Sequence, residues 1–166
     1  MSDTTVGPAG TSTSKHALLA DDEKHTRVAL ALILRKAGYQ VTTVDDGQEA
    51  LGAIAGASRC ATGFDLLVID VQMPGLTGIE LVEEIGRLGT AVPTLLITGY
   101  RCPDRVAELR RSQCLECAEK PFSPEEFLQH VARLLARFEH ERDTGRVASP
   151  AGTKTAGCGA RRPPDA

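Results

Sequence analysis

The sequence predicts a doubly wound α/β sandwich, with five consecutive βα units around a five-stranded parallel sheet. Three observations carry that expectation. Short apolar runs alternate with helical periodicities along most of the chain, the trace that strand–helix–strand crossovers leave in a sequence. Two of the runs, Leu66 to Ile69 and Val92 to Ile97, are nearly all Leu, Ile, Val and Thr, as expected of strands covered on both faces. Acidic, hydroxyl and amino side chains then follow one strand after another, at the ends where an open parallel sheet gathers its functional groups.

Each element follows in order. Met1 to Lys15 hold seven Ser/Thr, one Pro and two Gly without apolar periodicity, so residues 1–15 are expected to be disordered. Ala17-Leu18-Leu19-Ala20 reads as the first strand. A stripe of Leu30, Ile33, Leu34 and Ala37 reads as the first helix, stopped by Gly38. Val41 to Val44 and Leu66 to Ile69 are the next two strands, and Ile79, Val82 and Ile85 mark the helix after the third. Val92 to Ile97 is the fourth strand, followed by a weaker helical pair, Val106 and Leu109. Leu115 to Ala118 is the fifth. Ser123-Pro124-Glu125-Glu126 then supplies an N-cap, a proline in the first turn and a capping glutamate. Phe127, Val131, Leu134, Leu135 and Phe138 follow on one helical face. The folded body is expected at residues 16–139. Residues 140–166 form a flexible tail, since twelve of the 22 residues from Gly145 onward are Gly, Pro or Ala.

Composition removes several function classes. Hydrophobic residues at 42% and charged residues at 25% suit a soluble globular protein. No apolar run approaches the ~18 residues that span a bilayer, and the Ser/Thr-rich start lacks a signal peptide's apolar stretch. The expected location is the cytoplasm, with no membrane partner. A formal net charge of −3 argues against a basic nucleic-acid binder. The body carries 13 Lys/Arg against 18 Asp/Glu, the tail 5 against 3, so the body suits a cation or a basic partner.

The strand ends carry the chemistry. Asp21-Asp22 follow the first strand, Asp70 the third, Thr98 the fourth and Lys120-Pro121 the fifth. Three carboxylates held together repel strongly unless a cation sits among them. Oxygen ligands of this kind favour Mg2+, which takes a few carboxylates together with phosphate oxygens. A lysine and a hydroxyl opposite complete a phosphoryl site. The chain has no Gly-x-x-x-x-Gly-Lys loop or Gly-x-Gly-x-x-Gly turn to cradle a nucleotide. A carboxylate is then the natural nucleophile, forming an aspartyl phosphate.

At this point the residues match a family. Leu-Leu-Ala-Asp21-Asp22-Glu, Leu-Leu-Val-Ile-Asp70-Val-Gln-Met73-Pro74-Gly75-Leu-Thr-Gly78, Leu-Leu-Ile-Thr98-Gly99-Tyr100 and Glu119-Lys120-Pro121-Phe122 occur in that order, each at a strand end. Together they resemble the receiver domain of two-component response regulators, in particular the stand-alone, CheY-like kind, over about His16 to Phe138. The resemblance implies a flavodoxin-like fold. It implies that Asp70 accepts a phosphoryl group from a histidine kinase or a histidine phosphotransfer protein. It implies Mg2+ held directly by Asp22 and Asp70, largely through water by Asp21, and by the backbone carbonyl of Gln72. Thr98 and Lys120 would bind phosphoryl oxygens. The expected protein is a signalling module rather than an enzyme, a monomer or weak dimer with no DNA-binding output domain. It would act by contact with a downstream protein or within a phosphorelay.

Simpler readings stand beside these. Asp21-Asp22 suit helix capping, whereas Asp70, after four apolar residues, has no structural duty and must be desolvated or paired. Cys114-x-x-Cys117 has redox or zinc spacing, yet small buried hydrophobes are the favoured reading of both. The four histidines, His16, His25, His130 and His140, read as surface or junction residues. Val28 and Leu32 fall outside the first helix's buried stripe, and read either as ordinary scattered exposed apolar residues or as a kinase-docking surface. Two departures from the family stand out. Cys117 replaces the usual Tyr or Phe three residues before the strand-five lysine, and Gln113 stands where Gly is common. Without the ring, the expected response to phosphorylation is a modest shift confined to Gly99 through Glu108 and the end of strand five. The rival readings are an unphosphorylated scaffold and a thiol-redox module of Cys114 and Cys117.

Overall fold

The computed structural model describes residues 14–59 and 63–145. Ten elements alternate without exception: β1 (His16–Ala20), α1 (Lys24–Lys36), β2 (Gln40–Val44), α2 (Gly47–Arg59), β3 (Leu66–Asp70), α3 (Gly78–Arg87), β4 (Thr94–Thr98), α4 (Asp104–Leu109), β5 (Leu115–Glu119) and α5 (Pro124–Asp143). The five strands form one parallel sheet in the order β2-β1-β3-β4-β5. The order reverses between β1 and β3. That pair therefore opens the crevice at its carboxyl ends where such sheets place their sites.

Side-chain alternation along the strands divides the core in two. Leu18, Leu67, Ile69, Leu96 and Leu115 pack on one face against Ile54 of α2, Leu81, Val82 and Ile85 of α3 and Val106 of α4. Ala17, Leu19, Leu66, Val68, Leu95, Ile97 and Ala118 face the other way, onto Leu30 and Leu34 of α1 and Phe127, Val131 and Leu134 of α5. Every residue of β3 and β4 is buried, as their unbroken apolar runs predict. Phe127, fully buried, contributes on the order of 1.5–3 kcal/mol through burial alone.

Local signals account for most boundaries. Gly38, at φ 93°, closes α1: its amide donates to Arg35 O (3.0 Å) and that of Tyr39 to Leu34 O (3.1 Å), a turn that favours glycine because it needs a left-handed residue. Ser123 and Glu126 form a reciprocal capping box at the start of α5, and Thr77 and Glu80 form another on α3. Helix α5 runs to Asp143, past the Glu139 boundary read from the sequence. Its last turn is polar and held by an Arg137–Glu141 pair at 3.3 Å, so the apolar stripe ends before the helix does. Residues 1–13 of the expected disordered start and most of the tail, with Cys60 and Cys158, lie outside the described residues; Lys15, at the end of that start, accepts the Gln40 amide at 2.9 Å.

Candidate functional site: an acidic crevice at the β1–β3 switch point

Asp21 follows β1 directly, and its backbone is tied on both sides. Its amide donates to Val44 O (3.3 Å), and its carbonyl accepts from Arg27 Nη1 (2.5 Å). The side chain is fully buried, with Oδ1 accepting the Glu23 amide at 2.8 Å. Asp22 beside it is exposed. The N-cap of α1 is Glu23, which makes no side-chain cap bond. Neither aspartate therefore caps the helix.

Asp70 ends β3 at 6% exposure. Its Oδ1 accepts the Gln72 amide at 3.3 Å, which folds the following loop back over the carboxylate. The Val71 amide reaches Ile97 O (2.8 Å), and Val71 O in turn accepts the Gly78 amide (3.0 Å). That return brings Gly78 so near that a Cβ there would lie 2.2 Å from Asp70 O. Only glycine lets α3 start against the strand end.

The carboxylate oxygens of Asp21, Asp22 and Asp70 fall within 4.8 Å of one another. Lys120, just past β5, places Nζ 3.4 Å from Asp21 Oδ2 and 3.5 Å from Asp70 Oδ2. Burial raises the pKa of both Asp21 and Asp70 above the ordinary carboxylate range, with the Lys120 ammonium pulling the other way. The Lys120 ammonium thus pairs with the two desolvated carboxylates of a three-carboxylate cluster. An all-oxygen donor set with surplus negative charge suits a hard divalent cation such as Mg2+.

Thr98 closes β4, one residue beyond the Asp70–Ile97 register pair. It is buried, and its Oγ1 accepts the Tyr100 amide at 3.1 Å. The Lys120 amide donates to Thr98 O at 2.7 Å, so lysine and threonine share a backbone link. Gln72 sits in the β3–α3 loop beside Asp22, Met73, Pro74 and Ile79, around an open depression of about 560 Å3. The site residues read from the sequence are thereby placed at one edge of the sheet. Arg27 supports the site without a sequence signal that separates it from an ordinary surface cation, whereas Gly78 ends the motif quoted for the third strand and supports the site by its close approach to Asp70.

The cysteines are arranged differently from their spacing. Cys114 precedes β5 and is buried on the α1–α5 face, its Sγ 3.8 Å from Leu134 O. Cys117 packs on the opposite face. Burial pushes the Cys114 thiol up to about 11. The Cys-x-x-Cys pair is therefore split by the sheet and forms no joint centre. His16 pairs with Thr42 (2.8 Å) and meets the Phe64 ring in a tilted contact at 4.7 Å, and His130 pairs with Glu116 (2.8 Å). Both have structural partners outside the crevice.

Comparison with known proteins agrees with this geometry. Residues 17–132 match the family model of the response regulator receiver domain. The chain is 30% identical to the transcriptional regulatory protein FixJ of Bradyrhizobium diazoefficiens over 145 residues, covering 87% of this chain and 68% of that protein. It is 36% identical to the response regulator MprA of Mycobacterium avium, over 79% of this chain and 55% of that one. The C4-dicarboxylate transport regulator DctD of Pseudomonas aeruginosa is 32% identical over 71% of this chain but only 24% of its own length. The chain thus spans between about a quarter and two thirds of these relatives. Among solved structures, chemotaxis protein CheY4 of Vibrio cholerae superposes with a TM-score of 0.62 at 32% identity, over 72% of this chain and 98% of that one. A CheY-like receiver domain from Methanospirillum hungatei gives 0.66 at 25%, over 76% and 98%. The chain belongs to the response regulator receiver domain family of two-component systems.

Proposed function

We propose that this receiver accepts a phosphoryl group on Asp70 from a phosphohistidine, on a histidine kinase or a histidine phosphotransfer protein, and does so with Mg2+. One observation carries the reading: a buried carboxylate at the switch point, next to a second buried carboxylate and 3.5 Å from a lysine. A carboxylate oxygen of Asp70 attacks phosphorus, the P–N bond breaks, and its electron pair leaves with the imidazole nitrogen. Asp21, Asp22, Asp70 and the Gln72 carbonyl would hold the ion, which offsets phosphoryl charge during transfer. Lys120 supplies a second positive charge to the same oxygens. Thr98 turns its hydroxyl from the Tyr100 amide towards the phosphoryl group, carrying the β4–α4 loop with it.

The half-exposed Val28 (59%) and Leu32 (51%) on α1 offer the donor an apolar docking surface. Output passes to a downstream protein by contact, or the phosphoryl group moves on to another histidine in a relay. No described helix is long and apolar enough to cross a membrane. To test the reading, the protein is incubated with acetyl phosphate and Mg2+. One hydroxylamine-labile phosphoryl group is expected on the wild type and none on Asp70→Asn. Equal labelling of the two would refute the assignment.

A further inference from the structure

The β4–α4 loop contains a second thiol that sequence spacing does not connect to β5. Cys102 lies partly buried in this irregular segment and packs on the same core face as Cys117. The two thiols are neighbours on that face: Cys102 acts on the Cys117 thiol, and both side chains pack against the one core cluster. The loop is also fixed to the strand at this point, because the Cys102 amide donates to Glu119 Oε1 at 2.9 Å. Cys117 is paired in register with Leu96 of β4, two residues before Thr98. Cys102 therefore lies in the loop that joins the proposed phosphoryl-sensing hydroxyl to α4, and Cys117 lies on the strand beside it. Neither cysteine is joined in a disulfide.

We propose that Cys102 and Cys117 form a redox modification site, in which a hydroperoxide converts the thiol pair to a disulfide that pins the β4–α4 loop to β5. The first reaction falls on Cys102, because it is carried by a loop. Burial, with the neighbouring Cys102 thiol, raises the pKa of Cys117, against the pull of Arg110, so that thiol stays protonated and slow to attack peroxide. The Cys102 sulfur takes one peroxide oxygen, giving a sulfenic acid and an alcohol or water as the O–O bond is reduced. The Cys117 sulfur then attacks the sulfenic sulfur; the S–S bond forms, the S–O bond breaks, and hydroxide departs with the thiol proton as water. The two sulfurs together lose two electrons. Closing to the ~2.05 Å S–S bond draws one sulfur towards the other, a displacement that a loop absorbs more readily than a strand. The consequence for signalling rests on the receiver reading above: a pinned loop cannot follow Thr98.

The test uses the full chain with Cys60→Ser and Cys158→Ser, which removes the two thiols outside the described residues. After hydrogen peroxide treatment, peptide mapping is expected to link Cys102 to Cys117 within one chain, reversibly with dithiothreitol. Amide exchange across residues 99–103 should slow about tenfold. Adding Cys102→Ser should abolish both effects, whereas adding Cys114→Ala should leave them. A link to Cys114, over-oxidation of Cys102 without a link, or a link with unchanged exchange would overturn the proposal. The phosphorylation arm is separate. With acetyl phosphate and Mg2+, the reduced form should show a loop response that the oxidised form lacks. Equal responses would overturn the pinning, whereas absence of phosphorylation in both forms would count against the receiver reading and leave the mapping to decide the site.

Discussion

The carboxyl ends of β1 and β3 and those of β4 and β5 lie on one edge of one sheet, yet they are built differently. At the first pair, Asp21 and Asp70 are buried, with backbone bonds to both carboxylates and a glycine pressed against the strand end. At the second pair, Tyr100 is 68% exposed, α4 has only six residues and no side-chain cap, and Cys117 occupies the strand face beside another thiol. The first region has one arrangement open to it; the second has slack. A receiver whose family usually places an aromatic ring at position 117 would fill that slack with apolar area. Here a thiol fills little of it, so the end that accepts charge is better determined than the end that reports it.

The largest effect should come from Gly78→Ala. Its Cβ would meet Asp70 O at 2.2 Å, backbone against backbone, with no flexible side chain to give way. Urea unfolding should show a loss of about 3 kcal/mol or more, together with loss of phosphoryl acceptance. A near-neutral result would show that the acceptor end has slack too.

Gln113→Gly probes the other end. The Gln113 side chain donates to Val82 O at 3.1 Å and lies where a Cβ on Gly86 would be 2.4 Å from Nε2. It ties the α4–β5 turn to α3, replacing the family's usual glycine with a clamp. Its loss should cost about 1–2 kcal/mol in the same unfolding assay, with increased exchange in α4.

Asp70→Asn should raise the apo-protein's melting temperature by a few degrees at pH 7. The sign follows from linkage: burial raises the folded-state pKa of Asp70, so the native state binds more protons than the unfolded chain between the unfolded and folded pKa values. Stability is then lost as pH rises through that window, starting near the unfolded value of about 4. The mutant's advantage should therefore shrink towards pH 4, and saturating Mg2+ should stabilise the wild type more than the mutant. The smallest effect is expected of Cys117→Phe, which should raise the coupling between Asp70 and the α4–β5–α5 face towards the ~1–3 kcal/mol common in allosteric proteins, read as a wider response to a phosphate mimic.

How much of this was legible in the sequence follows the same division. The runs of β3 and β4 announce strands because both faces are covered. Ser123 through Glu126 announces α5 because a capping box has few other uses. Asp70 announces itself because a charge after four apolar residues needs a reason. Helix α2 left no stripe to read: Leu51 and Ile54 are its only large apolar residues, and the rest of its core-facing surface is alanine and glycine. The cysteines mislead for a geometric reason. Spacing draws Cys114 and Cys117 together, strand alternation sends them to opposite faces, and the partner of Cys117 comes from a loop that no local pattern connects to it.

The direct measurement is amide exchange, or NMR shift mapping, of the Mg2+-loaded protein with and without beryllium trifluoride as a phosphoryl mimic on Asp70. Changes should centre on the acidic crevice and extend only through residues 99–108 and the end of β5, leaving the outer face of α5 unmoved. Large changes along α5, or mimic-driven dimerisation tighter than about micromolar, would show that another side chain does the work of the missing ring and that the reporting end is as well determined as the accepting one.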